Sequence, residues 1–402
     1  MDKKKLLITT STFPRWQNDT DPPFVYELAR RLTNHFDITV LAPNYPGALA
    51  TEKMSGLQVH RFRYFFHKLE LLACSEGILP TLKKNSFFYL LIPFFLLGEL
   101  RALIKLTRKI KPDVIHAHWI LPQGLIAALA QKITGVPYIV TTHGGDIYGM
   151  QGKFSTALKR YALHNATLVT VVSKHIQETI KQNFGEDIPT DVLSMGVDSQ
   201  LFHPDRKTSA VKEKYKISGP FLLFVGRLTE KKGARYLIEA MPAVLKHYPE
   251  SKLLIIGTGE QDQELFRLSV SLGLQDRVIF TGAIPNSKLP VYFATADIFI
   301  GPSVTALDGD TEGFGLTFVE AAMSGCIVVA SDVGGIGDII EHGKTGYIVK
   351  EKDSAAIAEV LCTILKQIDK LSDIKAAARQ KMISRFDWQV IAEKYQKVLS
   401  LT

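Results

Sequence analysis

Residues 221–259 read FLLFVGRLTEKKGARYLIEAMPAVLKHYPESKLLIIGTG. A short apolar run, FLLFV, ends at Gly226-Arg227. A helical pattern follows over 234–248, and a second apolar run, KLLII, ends at Gly257-Thr258-Gly259. Short apolar runs without polar alternation are strands buried on both faces, and a helix between two of them lays the second parallel to the first. One β-α-β unit is legible here, and with it the class: α/β, a parallel sheet covered by helices.

The alternation continues in both directions. Downstream, RVIFTGA (277–283), DIFIGPS (297–303), IVVASDVGG (327–335) and GYIVK (346–350) read as strands, and AAIAEVLCTILKQI (355–368) as a helix. Upstream, KLLITT (5–10), DITVLAP (37–43), DVIHAHW (113–119), YIVTTHG (138–144), TLVTVVS (167–173) and TDVLSMG (190–196) read as strands. PFVYELARRLTNH (23–35), GLIAALAQKIT (124–134) and ALKRYALHN (157–165) read as helices among them. Two such series predict two doubly wound units. The polar stretch 195–220 holds Pro204 and Gly219-Pro220, lacks a strong apolar period, and sets the hinge near 197–216. The expected domains are 1–198 and 199–383, with the amphipathic 384–402 packing back on the first.

With 402 residues, 46% hydrophobic and 22% charged, the composition is that of a folded protein of two or three domains. Cys74, Cys326 and Cys362 are too few and too scattered for a disulfide framework or a zinc ribbon, and read as buried residues in a reducing compartment. The opening MDKKKLLITTSTFP sets three lysines before a short apolar run, but threonines follow and no small-residue cleavage site, so it reads as a first strand. No stretch reads as reaching the roughly 18–20 apolar residues of a membrane-spanning helix. The expected location is the cytoplasm.

Net charge is +8, and nearly all of the excess lies in 61–111, where ten Lys/Arg oppose three acids. The same segment holds FFYLLIPFFLLGEL, residues 87–100. Aromatic and apolar residues flanked by bases suit the surface of an anionic membrane, which makes a peripheral position on its inner face the companion expectation. The same spacing also suits a core helix with its charges in water. Nucleic acid is not an expected partner, because no recognition motif accompanies the charge.

Parallel sheets bind ligands beyond the carboxyl ends of their strands, so chemistry is sought just after each strand run. The strongest pattern is Asp308-Gly309-Asp310-Thr311-Glu312-Gly313-Phe314-Gly315-Leu316, running into Thr317-Phe318-Val319-Glu320. Glycines let backbone N–H groups approach an anion and a helix start adds positive potential, so Gly313, Phe314, Gly315 and Leu316 form a cradle for a diphosphate. Glu312 and Glu320 stand a little over two helical turns apart, close enough to face the same side. Such acids accept hydrogen bonds from sugar and ribose hydroxyls. Local spacing alone also fits a capped helix with Glu320 in water. Arg227 and Lys232 place two cations at a strand end, either neutralising a diphosphate leaving group or standing as solvated bases.

In the first half, His116-Ala117-His118-Trp119 and Thr142-His143-Gly144-Gly145-Asp146 follow strands. Their spacing matches no common zinc motif and no cysteine completes a set, so no metal is expected. His118 and His143 read as sugar-binding or orienting groups, and His116, taken as alternating with His118 across the strand, as a core histidine.

In combination these motifs resemble glycosyltransferase family 4. The resemblance rests on His-Gly-x-Asp at 143–146, Gly-Arg-Leu-x-x-Lys-Lys-Gly at 226–233 and Glu-Gly-Phe-Gly-x4-Glu-Ala at 312–321. Gly196-Val197-Asp198 with Phe202 and Pro204, and Asp332-Val333-Gly334-Gly335-Ile336, belong to it as well. It covers essentially the whole chain, most specifically 220–350. It implies a GT-B fold, two Rossmann-like domains facing across a central cleft, and a retaining enzyme that needs neither metal nor cofactor. The implied donor is a UDP- or GDP-linked hexose. Arg227 and Lys232 would grip its diphosphate, Glu312 its sugar hydroxyls and Glu320 its ribose, with Ile279, Phe280 and Thr281 along the base. His143 would lie beside the reacting sugar, and Asp146 would position the sugar or the acceptor. The loop 12–23 departs from the pattern: it holds no glycine where many relatives carry a Gly-Gly pair. The basic, aromatic-rich segment favours a glycan or lipid-linked acceptor.

Three other readings share these features. A dinucleotide oxidoreductase would need Gly-x-Gly-x-x-Gly after a strand, and Gly257-Thr258-Gly259 lacks the third glycine. A nucleotide-sugar epimerase would need no acceptor. A carbohydrate-binding protein of the same fold would need neither the cations nor the paired acids.

Overall fold

A computed structural model describes residues 3–16, 19, 24–73, 77–78, 81–82 and 85–401. The chain divides into two compact units, residues 1–196 with 391–402, and residues 197–390. The polar stretch 197–216 thus folds within the second unit, and only residues from Ile391 onward return to the first. Residues 384–390, expected with the returning segment, stay with the second unit, and the terminal helix is broken at Asp387 into Ser372–Phe386 and Trp388–Leu401.

The first unit is built on β1 (Lys4–Thr9), β2 (Phe36–Pro43), β3 (Thr51–Met54), β4 (Leu57–Phe62), β5 (Val114–His118), β6 (Tyr138–Thr142), β7 (Leu168–Val171) and β8 (Thr190–Val192). They form one sheet in the order β3-β4-β2-β1-β5-β6-β7-β8, parallel except for the β3–β4 hairpin. Strands β1 and β5 are neighbours in space and far apart in sequence, with Ile8 opposite His116. The returning segment seals this sheet. Tyr395 is wholly buried, its ring lies 5.8 Å from that of His116, and its hydroxyl donates to the Leu193 carbonyl at 3.1 Å.

The second unit carries β9 (Phe221–Val225), β10 (Lys252–Ile256), β11 (Val278–Gly282), β12 (Ile298–Gly301), β13 (Ile327–Ser331) and β14 (Tyr347–Val349). All are parallel, in the order β11-β10-β9-β12-β13-β14. Side chains alternate across each strand, so Leu222, Phe224, Leu253, Ile255, Ile298, Ile300, Ile327 and Val329 share one core with the helices Ala234–His247 and Ser354–Lys366. Leu223, Leu254, Phe299 and Val328 are equally buried on the other face. Burial on both faces is why these runs show no polar alternation. Strand order reverses between β9 and β12, and such a reversal opens a crevice at the carboxyl ends of the strands.

The segment 61–111 contains the run Ser86–Ile110, 25 residues long and, by length and composition, apolar enough to cross a membrane. That corrects the expectation that no stretch is. Glu99 and Arg101 interrupt a count of consecutive apolar residues, yet the helix Ile92–Ile110 continues through them. Leu91, Phe95, Glu99, Leu103 and Leu106 form a buried stripe at helical spacing, so one face packs on the sheet. The other face leaves Leu90 at 63% exposure, with Phe87, Tyr89, Phe94 and Leu97 around half exposed. Phe66, 73% exposed, extends the patch through the ring contacts Phe65–Phe66 and Phe65–Phe94. Arg63, Lys68, Arg101, Lys105, Arg108 and Lys109 are exposed in the same segment. Lys83 and Lys84 lie outside the described residues, as do Cys74 and residues 17, 18 and 20–23 of the glycine-free loop.

Candidate active site

At the carboxyl ends of β9 and β12 a hollow is lined by Val225, Lys232, Gly301, Ser303, Glu312 and Thr317 over a floor of Phe224, Phe299 and Phe318. Lys232 Nζ donates to Glu312 Oε2 at 2.5 Å, and Lys231 Nζ pairs with Asp310 Oδ2 at 3.0 Å. Burial alone would raise the Glu312 carboxyl. Lys232, through charge and hydrogen bond, together with Lys231 and the Ser303 hydroxyl, outweighs burial and holds it below the usual carboxylate range. Glu312 is therefore an anion at neutral pH. Its loop is held from behind: Gly335 N donates to Glu312 O at 3.0 Å, and a Cβ on Gly334 would stand 2.0 Å from that same oxygen.

The helix Leu316–Met323 starts from Gly315, whose φ of 92° is left-handed. Phe318 N donates back to Gly315 O at 3.0 Å, and the amides of Leu316 and Thr317 before it have no intrahelical acceptor and point out of the helix start. The Phe314 ring packs on Phe386 at a centroid distance of 5.2 Å, so only the backbone of Gly313, Phe314 and Gly315 is left for an anion. Glu320 follows on the same helix. Desolvation pushes its carboxyl up to about 7 against the pull of Lys232. Among the described residues it has no hydrogen-bond partner, which leaves its oxygens available to hydroxyls.

Arg227 leaves β9 one residue beyond Gly226, over which the Lys232 stem lies; a Cβ on Gly226 would be 3.7 Å from Lys232 Cδ. Its side chain is exposed, and among the described residues the guanidinium has no ion-pair or hydrogen-bond partner. Ile279 and Thr281 lie half-buried on the edge strand β11, two strands away from β9. The Thr281 hydroxyl bonds to the Gly282 and Ile255 carbonyls at 2.8 and 3.3 Å, so it is committed to the strand end. Gly257 and Gly259 meet the Gly226 and Leu228 carbonyls, at 1.9 and 2.2 Å from a notional Cβ. The Gly-Thr-Gly there serves close packing of strand ends, not a dinucleotide.

In the first unit, β5 and β6 end in a cluster of imidazoles. His118 Nδ1 and His143 Nε2 are 3.1 Å apart, with their rings nearly parallel at 15°. His116 lies on the same face of β5 as His118, ring centroids 4.3 Å apart. This corrects the expected alternation, since residues i and i+2 of a strand share a face. His116 is a core histidine, its Nε2 2.7 Å from Thr141 Oγ1. Phe24 and Trp119 pack against His143 at 4.9 and 4.7 Å. Burial pushes His116 and His143 down to about 3 and His118 well below its ordinary value, so all three are neutral. Asp146 is buried, and its carboxyl accepts from Ile120 N at 2.8 Å and His143 N at 3.1 Å. It ties together the loops after β5 and β6 and fixes the backbone that carries His143. Burial raises its pKa against those two bonds.

Of the residues singled out in the sequence, the fold sets Lys232 and Glu312 on one hollow, with Glu320 on the adjoining helix within electrostatic reach of Lys232, and brings His118, His143 and Asp146 together at the ends of β5 and β6. Sequence reasoning missed Ser303 and Thr317. Ser303 follows the DIFIG run and was open to the same strand-end rule; Thr317 carried no signal beyond its place in the first helical turn. Among the described residues no group of three or more His, Cys, Asp or Glu has the arrangement of a metal site.

Two family models match this chain: Glycosyltransferase Family 4 over residues 23–201 and Glycosyl transferases group 1 over 205–381. The chain belongs to glycosyltransferase family 4. This transferase, an enzyme that uses nucleotide sugars, is 27% identical to a GDP-mannose-dependent α-(1-6)-phosphatidylinositol monomannoside mannosyltransferase of Mycolicibacterium smegmatis, over 98% of each chain. It is 26% identical to the N-acetyl-α-D-glucosaminyl L-malate synthase of Bacillus anthracis, over 71% of this chain and 74% of that one. Among solved structures, sucrose-phosphate synthase from Thermosynechococcus elongatus superposes over all of both chains with a TM-score of 0.78 at 20% identity. Anabaena HepE in complex with UDP-glucose gives 0.76 at 21% over 99% of the transferase and all of its own chain. The fold is GT-B.

Proposed function

We propose that this transferase moves a hexose, mannose from GDP-mannose foremost, with retention of configuration onto a hydroxyl of a lipid-linked or surface-glycan acceptor. The observation that carries the donor half is the Lys232–Glu312 pair at 2.5 Å beside the helix start at Gly315. Cations and backbone amides for a diphosphate stand next to carboxylates for hydroxyls. Arg227, Lys232 and the amides of Gly313, Phe314, Gly315 and Leu316 take the charge that develops on the leaving diphosphate. Glu312 holds sugar hydroxyls, Glu320 the ribose, and Ile279 and Thr281 border the base. In the first unit His143 serves the reacting sugar, positioned by Asp146 and His118. These cations do the work a metal would otherwise do, so chelation leaves the rate unchanged.

In the step itself the bond from the anomeric carbon to the diphosphate oxygen breaks. The acceptor oxygen bonds to that carbon from the same face, and its proton passes to the departing phosphate. The choice of mannose is supported by the M. smegmatis relative, whose name gives both a GDP-mannose donor and a phosphatidylinositol-linked acceptor. A membrane-linked acceptor is supported by the exposed apolar face of Ile92–Ile110 and the bases beside it. The protein would then work as a peripheral protein on an anionic, cytoplasmic membrane face.

The test is thermal stabilisation across a panel of nucleotide sugars, followed by nucleoside diphosphate release with and without lipid acceptors. Selective stabilisation by GDP-mannose, acceptor-dependent GDP release and an α-linked product are expected. An inverted anomeric configuration, or release equally fast without acceptor, would overturn the reading.

A further inference from the structure

We propose that His118 is a positioning residue that sets the tautomer of His143, so that His143 presents an Nδ1–H donor and is not a base. The inference rests on the reading above only in giving His143 a sugar to serve.

Two neutral imidazoles 3.1 Å apart share one hydrogen bond, and one of them must donate. The choice is made at the far side of His118. Its Nε2 is enclosed, with no hydrogen-bond partner among the described residues. Were His143 Nε2–H the donor, His118 would carry its own proton on that enclosed Nε2, leaving a buried N–H without an acceptor. Buried orphan N–H groups are the rarest kind in folded proteins. With the proton on His118 Nδ1, only a lone pair is left unmatched. His118 then donates to His143 Nε2, and His143 holds its single proton on Nδ1.

The neighbouring groups follow the same rule. His116 Nδ1 is likewise enclosed without a partner, which places the His116 proton on Nε2, donated to Thr141 Oγ1 at 2.7 Å. Thr141 can pass its own proton to Thr170 Oγ1 at 2.6 Å, and Thr170 to the Val140 carbonyl at 3.5 Å. Every donor in this chain then has an acceptor. His143 Nδ1 is the polar ring atom left over: it has no hydrogen bond among the described residues and is not one of the enclosed orphans. With Phe24 and Trp119 against the ring, Nδ1–H is what His143 offers a ligand, and it calls for an oxygen acceptor such as a sugar hydroxyl.

The experiment is nitrogen NMR of the full chain labelled at histidine, with His143 assigned through His143→Gln. At pH 7.5 a neutral His143 protonated on Nδ1 is expected; a proton on Nε2 would overturn the proposal. Variants supply a second measurement. His118→Asn keeps an N–H donor near the place of Nδ1, whereas His118→Leu removes it. The leucine variant should lose the single-tautomer signature of His143 and about tenfold in kcat/KM, and the asparagine variant should recover both. Equal behaviour of the two variants would sink the assignment. If His143→Gln transfers sugar normally while the wild-type tautomer is as expected, the tautomer stands and the sugar-serving role of His143 falls.

Discussion

At the end of β9 the second unit sets a lysine against a glutamate at 2.5 Å and leaves an arginine out in solvent. At the ends of β5 and β6 the first unit stacks imidazoles that burial keeps neutral. The same topological position, a strand end beside a reversal of strand order, is used for opposite electrostatics. A leaving diphosphate gains charge and calls for cations with mobile or exposed ends. A sugar gains no negative charge, and a neutral donor held among aromatic rings can orient it without attracting phosphate. On the proposed function, the polar content of each cluster matches the charge of the group it would handle.

The largest effect should come from removing charge where the proposed function relies on it. Arg227→Ala is expected to cut transfer at least about 100-fold, the scale of lost transition-state charge stabilisation. Melting should be unchanged, because the side chain is exposed and bonds to nothing described. Near-normal turnover in that variant would erase the contrast between the units. Next comes the surface that sets the first unit apart. Phe94→Asp with Leu97→Asp should weaken binding to vesicles of anionic lipid by about tenfold per site, from the loss of partial apolar burial. Unaltered cosedimentation would return the helix Ile92–Ile110 to the role of an ordinary surface helix.

Glu320→Gln should raise the KM for donor about tenfold with little change in kcat, as expected on losing a charged acceptor for ribose hydroxyls. A kcat loss at constant KM would move Glu320 into the reacting centre. The same variant tests stability. A carboxyl raised to about 7 in the folded protein disfavours its own ionised form, so the penalty is present above pH 7 and absent below the unfolded value of 4.5. The glutamine variant should therefore be more stable than wild type at pH 8, by roughly 1–3 kcal/mol after allowance for partial exposure. The gap should close by pH 4.5 in thermal melts.

The last test lies in the first unit, where the sign is reversed. His116 and His143, lowered to about 3, take protons near pH 6.5 only when unfolded, so their contribution is lost as pH falls below that value. Glu99 is buried, with its Oε1 accepting from Thr9 at 2.7 Å, and desolvation pushes it up to about 7, so it opposes that loss. Glu99→Gln should steepen the acid destabilisation between pH 7 and 5, read by hydrogen exchange at β5 and β6. A shallower slope would show that the Glu99 carboxyl is not raised in the folded unit.

How much of this was legible depended on what each signal encodes. The FLLFV, KLLII and IVVAS runs specify buried parallel strands by local composition alone, and the fold follows from them. The glycine-rich run into Glu320 was equally local, since a helix start and its acids are neighbours in sequence. The helix Ile92–Ile110 was harder, because Glu99 counts as polar in sequence yet lies in the buried stripe, bonded to Thr9. The pairing of His118 with His143 depends on register between β5 and β6, where His118 stands opposite Thr141, whereas the face shared by His116 and His118 follows from their i, i+2 spacing and was open to the period-2 rule. A misjudged strand face moves every ring to the wrong side. Ser303 was within reach of the strand-end rule, whereas Phe24 is brought to His143 by tertiary packing that no spacing announces.

Tyr395 closes the first sheet on a carbonyl 202 positions earlier in the sequence. During synthesis, the segment that finishes the first unit therefore emerges after all of the second. A message cut short anywhere within 197–390 would yield a first unit without this seal, its imidazole face open to water. Full-length translation is thus built into the folding of the half that is made first.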